Sequence, residues 1–230
     1  AKWRVRLMIS KATEDYLKTI YKLAQEAPGG TVGTGLLAEA LGVAAPSVTG
    51  MLKKLAELGL VDHRARQGVA LTPAGEKIAL EVVRHHRLLE CYLIEALGYR
   101  WDEVHEEADR LEHLVSDELE ARMDAALGYP TVDPHGDPIP SREGTVAAPA
   151  SRPLASLEAD EAATIGRVSD DDPAKLRYLA DLGLFPGVPV TVLETLPFNG
   201  PLRVRVDGAG VGREHLLGRE LAAEIFIRPG

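Results

Sequence analysis

Apolar positions recur with a helical period over residues 10–26, where Tyr16, Leu17, Ile20, Tyr21 and Leu23 form one stripe and Ser10 is placed to cap the first turn. Pro28-Gly29-Gly30 ends that helix. A short helix over 34–41 stops at Gly42. Another follows, with Pro46 in its first turn and Val48, Met51, Leu52 and Leu55 facing inward. Residues 62–72 then read as two short strands around a basic turn. Helix, turn, helix and hairpin in that order predict a winged helix-turn-helix over residues 1–75.

From Pro73 to Leu127 the pattern is strongly helical: a long helix through about Leu97, a break at Gly98, a second helix from near Asp102, and a further helical stretch before Gly128-Tyr129-Pro130. Residues 129–153 are rich in Pro, Gly and Ser and read as a connector, with 143–152 as the linker itself. Beyond Pro153 the chain offers apolar runs at 163–168, 189–196, 202–206 and 224–227, interrupted by one short helix near 173–182. Turns at Phe198-Asn199-Gly200 and Asp207-Gly208 separate some of them, and a small barrel is their natural packing. The expected fold is mainly α with a small β domain, divided as 1–75, 76–142, the linker 143–152, and 153–230.

Composition narrows the class. A hydrophobic fraction of 45% and a charged fraction of 27% are those of an ordinary globular protein. No apolar run is long enough to span a membrane. Residues 1–9 alternate basic and apolar positions without the apolar core of a signal peptide, so a cytoplasmic protein is expected. The single cysteine, Cys91, excludes an internal disulfide or a multi-cysteine zinc site and reads as a core residue. The net charge of -9 is unevenly spread: residues 1–75 carry ten Lys/Arg against six Asp/Glu, residues 76–152 eight against seventeen, and residues 153–230 eight against twelve. A basic first third can face DNA phosphates, whereas the acidic middle needs cations to neutralise it.

Two surfaces carry candidate chemistry. In residues 44–55, small residues Ser47 and Thr49 with Pro46 sit opposite the apolar face, suited to close approach to base edges. Thr34 at the preceding helix start, Lys53, Lys54, Arg64 and Arg66 are placed for backbone contacts that fix register. The second surface is acidic. His105, Asp109, Glu112 and His113 are spaced to share one helical face, with Leu111 and Leu114 packing beside it, and His86 and Glu90 lie one turn apart on the preceding helix. An all-imidazole and carboxylate donor set suits manganese or ferrous iron rather than copper or structural zinc.

The chain resembles the diphtheria toxin repressor and manganese transport regulator family in residues 12–21, in Pro46-Ser47-Val48-Thr49, in residues 71–75, in residues 84–90 and in residues 104–113. The resemblance implies a dimeric, metal-activated repressor of double-stranded operator DNA with a C-terminal SH3-like (FeoA-like) β-barrel. It places the primary metal site on Asp15, His86, Asp109, Glu112 and His113. Iron-type members have methionine and cysteine at positions 15 and 109, so the chain resembles the manganese type. It departs from the two-domain manganese regulators at Lys18, where they use glutamate. A second site of the longer members maps onto Glu90, Asp133, His135 and Asp170, with Asp133-Pro134-His135-Gly136 in place of their Cys-Pro-His-Gly. His105 matches an ancillary iron-type ligand. The expected cofactor is manganese, with ferrous iron the alternative, and no membrane or organic ligand is expected. Two other readings stay open: a winged-helix regulator of an organic effector, and a carboxylate-bridged metalloenzyme, against which no nucleophile or general-base motif is found.

Overall fold

Ser10 caps α1 (Lys11–Glu26), its hydroxyl accepting from Thr13 N at 3.3 Å, in a computed structural model that describes residues 10–64, 68–150, 152–169, 172–207 and 212–229. Arg66 and Asp170 lie outside the described residues, as does the side chain of Arg64. The chain falls into two compact units. One gathers the described residues up to His86 with Glu112–Val115 and Pro140–Thr145; the other holds Arg87–Leu111, Ser116–Ile139 and the described residues from position 146 onward.

In the first unit, α2 (Thr34–Leu41) and α3 (Ala45–Glu57) are bent by 108° across a three-residue turn, the geometry of a helix-turn-helix. Strands β1 (Val61–Arg64) and β2 (Gly68–Leu71) form the antiparallel wing, and Val32 joins it through two hydrogen bonds of 2.9 Å with Val69. Leu17, Ile20, Leu37, Val48, Leu52, Leu55 and Val69 are completely buried together. Each such leucine contributes about 1.5–3 kcal/mol by burial. The long helix α4 (Pro73–Leu97) begins where Thr72 accepts from Gly75 N and donates to Gly59 O. A Cβ at Gly75 would fall 2.0 Å from Leu60 O, so only glycine lets the helix start lie against the strand.

The second helix of the acidic region is shorter than the spacing predicts. After α5 (Val104–Leu111) the backbone tightens into a 3₁₀ turn over Glu112–Leu114, and Ser116 caps a separate α6 (Asp117–Ala126). Leu114, expected to pack, is 78% exposed, and Val115 is buried instead. Within the Pro/Gly-rich stretch 129–153, Asp133, His135 and Ile139 are buried.

The C-terminal module is a six-stranded antiparallel sheet in the order β3-β8-β4-β5-β6-β7. Its strands are β3 (Arg152–Pro153), β4 (Ala162–Val168), β5 (Pro189–Thr195), β6 (Leu202–Val206), β7 (Arg213–Leu217) and β8 (Ile225–Pro229). The predicted short helix is α7 (Pro173–Asp181), capped by Asp172, and α8 (Arg219–Ala223) precedes β8. Ile165, Val190, Val192, Val204 and Ile225 alternate inward around one core with Leu176 and Leu184. Phe198 and Asn199 take φ near +60° at the tip between β5 and β6, a turn whose twist matches the flanking strands. Among the described residues no single helix is long and apolar enough to cross a membrane.

Candidate metal centres and nucleic-acid interface

Helix α1 buries Tyr16, Leu17 and Ile20, and this fixes the direction of its neighbouring polar face. Glu14, Asp15 and Lys18 on that face meet Glu112 and His113 from the 3₁₀ turn and His86 from α4. His113 Nδ1 contacts Glu14 Oε2 at 2.5 Å, while its Nε2 lies 2.8 Å from Asp15 Oδ1 and 3.4 Å from Glu112 Oε1. This buried atom has no hydrogen-bond partner of good geometry among the described residues. Glu112 turns its other oxygen away: Oε2 is 2.6 Å from both Lys18 Nζ and His86 Nδ1, which are 3.1 Å from each other. Burial alone would push the Glu112 carboxyl up, but His86 and Lys18 outweigh it and hold it below its usual value. Burial likewise opposes charge on His113, yet the carboxylates of Asp15 and Glu14 hold the imidazolium to about 9.

Asp15, Glu112 and His113 present donor atoms within 4.8 Å of one another, a set that fits a divalent cation. Two carboxylates and an imidazole converge there, with the buried Nε2 close to one oxygen of each carboxylate. Of the five residues expected in the primary set, four (Asp15, His86, Glu112 and His113) thus come together in one unit. Asp109 belongs to the other unit, where its Oδ2 is 3.8 Å from His105 Nε2. The expectation that His105, Asp109, Glu112 and His113 share one helical face does not hold, because α5 ends at Leu111 and the tighter turn redirects the last two. Glu14 was not anticipated as a partner of His113; its adjacency to Asp15 was the available signal.

The second unit holds another cluster, Glu90, Asp133 and His135, all buried, with donor atoms again within 4.8 Å. His135 Nε2 is 3.1 Å from Trp101 O, so it donates there and leaves the Nδ1 lone pair facing Glu90 Oε2 at 3.8 Å. A ring nitrogen anchored on a carbonyl, with its other nitrogen turned toward a carboxylate, is the arrangement that orients a metal-binding histidine. Trp101 stacks on His135 with centroids 5.2 Å apart and donates to Pro134 O. His105 Nδ1 meets Glu90 Oε1 at 3.0 Å. Asp133 Oδ1 accepts from His135 N and Asp137 N, both at 2.9 Å, and Arg87 Nε lies 3.3 Å from Oδ2. Burial, then the charges of Glu90 and Asp137, raise the Asp133 carboxyl to about 7 against the pull of Arg87 and His135. Cys91 is buried with Sγ 3.8 Å from Val132 O, and burial pushes its thiol up, as expected of a core cysteine.

On the DNA side, Pro46, Ser47, Thr49, Lys53 and Lys54 are all exposed along α3, while Val48, Leu52 and Leu55 are buried. The Thr49 hydroxyl donates to Ala45 O at 3.1 Å, and Thr34 opens α2 half-buried.

Three family models divide the chain. "Iron dependent repressor, N-terminal DNA binding domain" matches residues 8–69, "Iron dependent repressor, metal binding and dimerisation domain" matches 72–141, and "FeoA domain" matches 152–229. The iron-dependent repressor IdeR of Mycobacterium leprae is 34% identical over 197 residues, 80% of this chain and 84% of that protein. The diphtheria toxin repressor of Corynebacterium diphtheriae is 38% identical over 128 residues, 56% of each chain. Among solved structures, a manganese-dependent transcriptional repressor in complex with manganese is similar with a TM-score of 0.85 and 45% identity, covering 95% of this chain and 100% of that one. The manganese regulator SloR gives a TM-score of 0.75 at 33% identity, covering 95% and 98%.

Proposed function

This chain belongs to the iron-dependent repressor family, and from that premise we propose that it is a manganese-responsive, homodimeric repressor acting in the cytoplasm on double-stranded operator DNA of metal-uptake and homeostasis genes. As a family member it is a metal-dependent DNA-binding repressor and not an enzyme. The finer reading rests chiefly on the contact of Asp15, carried by the DNA-binding head, with His113 at 2.8 Å. Asp15, His86, Glu112 and His113 form the part of the proposed primary set that lies in one unit, and Glu90, Asp133 and His135 with His105 the second. A divalent ion at the primary set would supply positive charge and fixed geometry among the carboxylates. Asp15 shares α1 with Leu17 and Ile20, which pack in one core with Val48 and Leu52 of α3. Restraining Asp15 against Glu112 and His113 therefore restrains the recognition helix. In a two-fold dimer this sets the separation of the two heads, which must match roughly 34–36 Å of duplex.

Manganese is favoured by a donor set of oxygen and imidazole nitrogen without sulfur, and by structural relatives described as a manganese-dependent repressor and a manganese regulator. Ferrous iron is the second reading, favoured by the iron-dependent names of the curated relatives. A duplex selected from random sequence by the metal-loaded protein, then titrated separately with manganese, anaerobic ferrous iron and zinc, separates the two. Manganese should support binding at the lowest free concentration; equal or tighter binding with ferrous iron would reassign the signal.

Ligation also has a proton cost. His113 holds a proton up to about 9 in the metal-free protein, whereas a ligating imidazole must be neutral. The raised value means that the imidazolium stabilises the fold fully below the unfolded value of about 6.5, and that this stabilisation is lost as pH rises through about 9. Manganese binding near pH 7.5 should therefore release close to one proton from His113, and affinity should climb with pH toward 9. Calorimetry in two buffers of different ionisation enthalpy measures this; identical heats would count against His113 as a ligand.

A further inference from the structure

Trp101 holds His135 in three ways. Its carbonyl accepts from Nε2 at 3.1 Å, its indole stacks on the imidazole with the two planes 29° apart, and its Nε1 donates to the carbonyl of the preceding Pro134 at 3.0 Å. The first contact fixes which ring nitrogen carries the proton, the second limits rotation of the ring, and the third fixes the peptide leading into it. The same indole meets the C-terminal sheet module. The Phe185 ring, between α7 and β5, has its centroid 4.9 Å from that of Trp101, and Trp101 packs against the module's core.

We infer that Trp101 is a positioning residue that makes the grip of the Glu90–Asp133–His135 cluster on a divalent ion depend on the seat of the indole against Phe185 of the C-terminal sheet module. This rests on the metal-binding role proposed for that cluster. A histidine ligates best when its ring is held in one tautomer and one orientation before the ion arrives, and groups that do so from outside the ligand set are worth about 10–100-fold in affinity. Trp101 supplies both restraints, and Phe185 supports the ring that supplies them. The module thus acts on the cluster through a side chain that is not itself a ligand.

The test measures manganese affinity of the full chain by equilibrium dialysis, with His113→Ala in every sample to silence the primary set. Trp101→Ala should weaken binding about 10–100-fold. Trp101→Phe, which keeps an aromatic ring beside His135, should recover most of that loss, whereas Trp101→Leu, which fills space without a π face, should not. Leucine binding as tightly as phenylalanine overturns the proposal, because bulk alone then suffices. Phe185→Ala should also weaken binding, and should add little to Trp101→Ala, since it acts through the indole. Unchanged affinity in Phe185→Ala, or fully additive losses, overturns the proposal. Trp3→Phe leaves Trp101 as the sole tryptophan, and manganese should then quench its fluorescence, with the quenching abolished by His135→Ala. Absence of quenching at saturation overturns the proposal with positions 101 and 185 intact, so misfolded variants do not rescue it. No ion bound with Trp101 and Phe185 intact removes the second cluster and the proposal together. An ion held equally well by Trp101→Ala removes the role of Trp101 alone and leaves the cluster standing.

Discussion

Asp15→Ala is expected to leave helix content and dimer intact while weakening manganese-dependent operator binding about 100-fold, within the roughly 5–150-fold range usual for coupling between two sites. The carboxylate is partly exposed, so its loss leaves no sealed cavity. What disappears is the contact between the DNA-binding head and His113. A metal can shift the protein toward a DNA-competent state only through its differential affinity for that state, and in the proposed function Asp15 would be the head's own contribution to the difference. Mobility-shift titrations with and without manganese give the measurement. A variant whose binding rises with manganese as the wild type does would remove the head from the metal response.

Gly136→Ala should destabilise the second unit by roughly 2–4 kcal/mol, combining backbone strain with overpacking, and lower its melting temperature by about 5–15 °C. Gly136 has φ of +92°, and a Cβ there would stand 2.1 Å from Gly166 O and 2.8 Å from Arg167 Cα. The close approach seats the loop bearing Asp133 and His135 against β4, where Val168 N donates to His135 O at 2.9 Å. Gly187→Ala is the control: φ there is +87°, but its Cβ would meet nothing within 4 Å. It should cost only the strain, about 1–3 kcal/mol. Equal melting of the two variants would mean that the loop gives way without difficulty.

Local rules made much of the chain legible. Ser10, Gly42 and the stripe of α1 mark helix limits that tertiary packing leaves alone, and the Val/Ile alternation of β4, β5 and β6 records one buried sheet face. Where the reading failed, the deciding interactions were distant in sequence or local in geometry. Periodicity assumed one helix from Val104 through His113, but the cap at Ser116 and the 3₁₀ tightening end it sooner, and this turns Glu112 and His113 onto α1. Strand β7, Arg213-Glu214-His215-Leu216-Leu217, has no clean alternation and is held by pairing with β6. The Pro/Gly content around Asp133 signalled a connector, yet the same residues bury two candidate ligands. Helical spacing paired His86 with Glu90, whereas the fold hands His86 to Glu112.

Cys91 gives the candidate sensor an unexpected robustness. It is the chain's only thiol, it is buried, and burial keeps it in the unreactive protonated form. Among the described residues, every donor that could gather around a metal ion is a carboxylate or an imidazole. Peroxide therefore meets no thiolate ligand to convert to sulfenic acid, and metal sensing built on these residues would persist under oxidative stress that disables thiolate-ligated regulators.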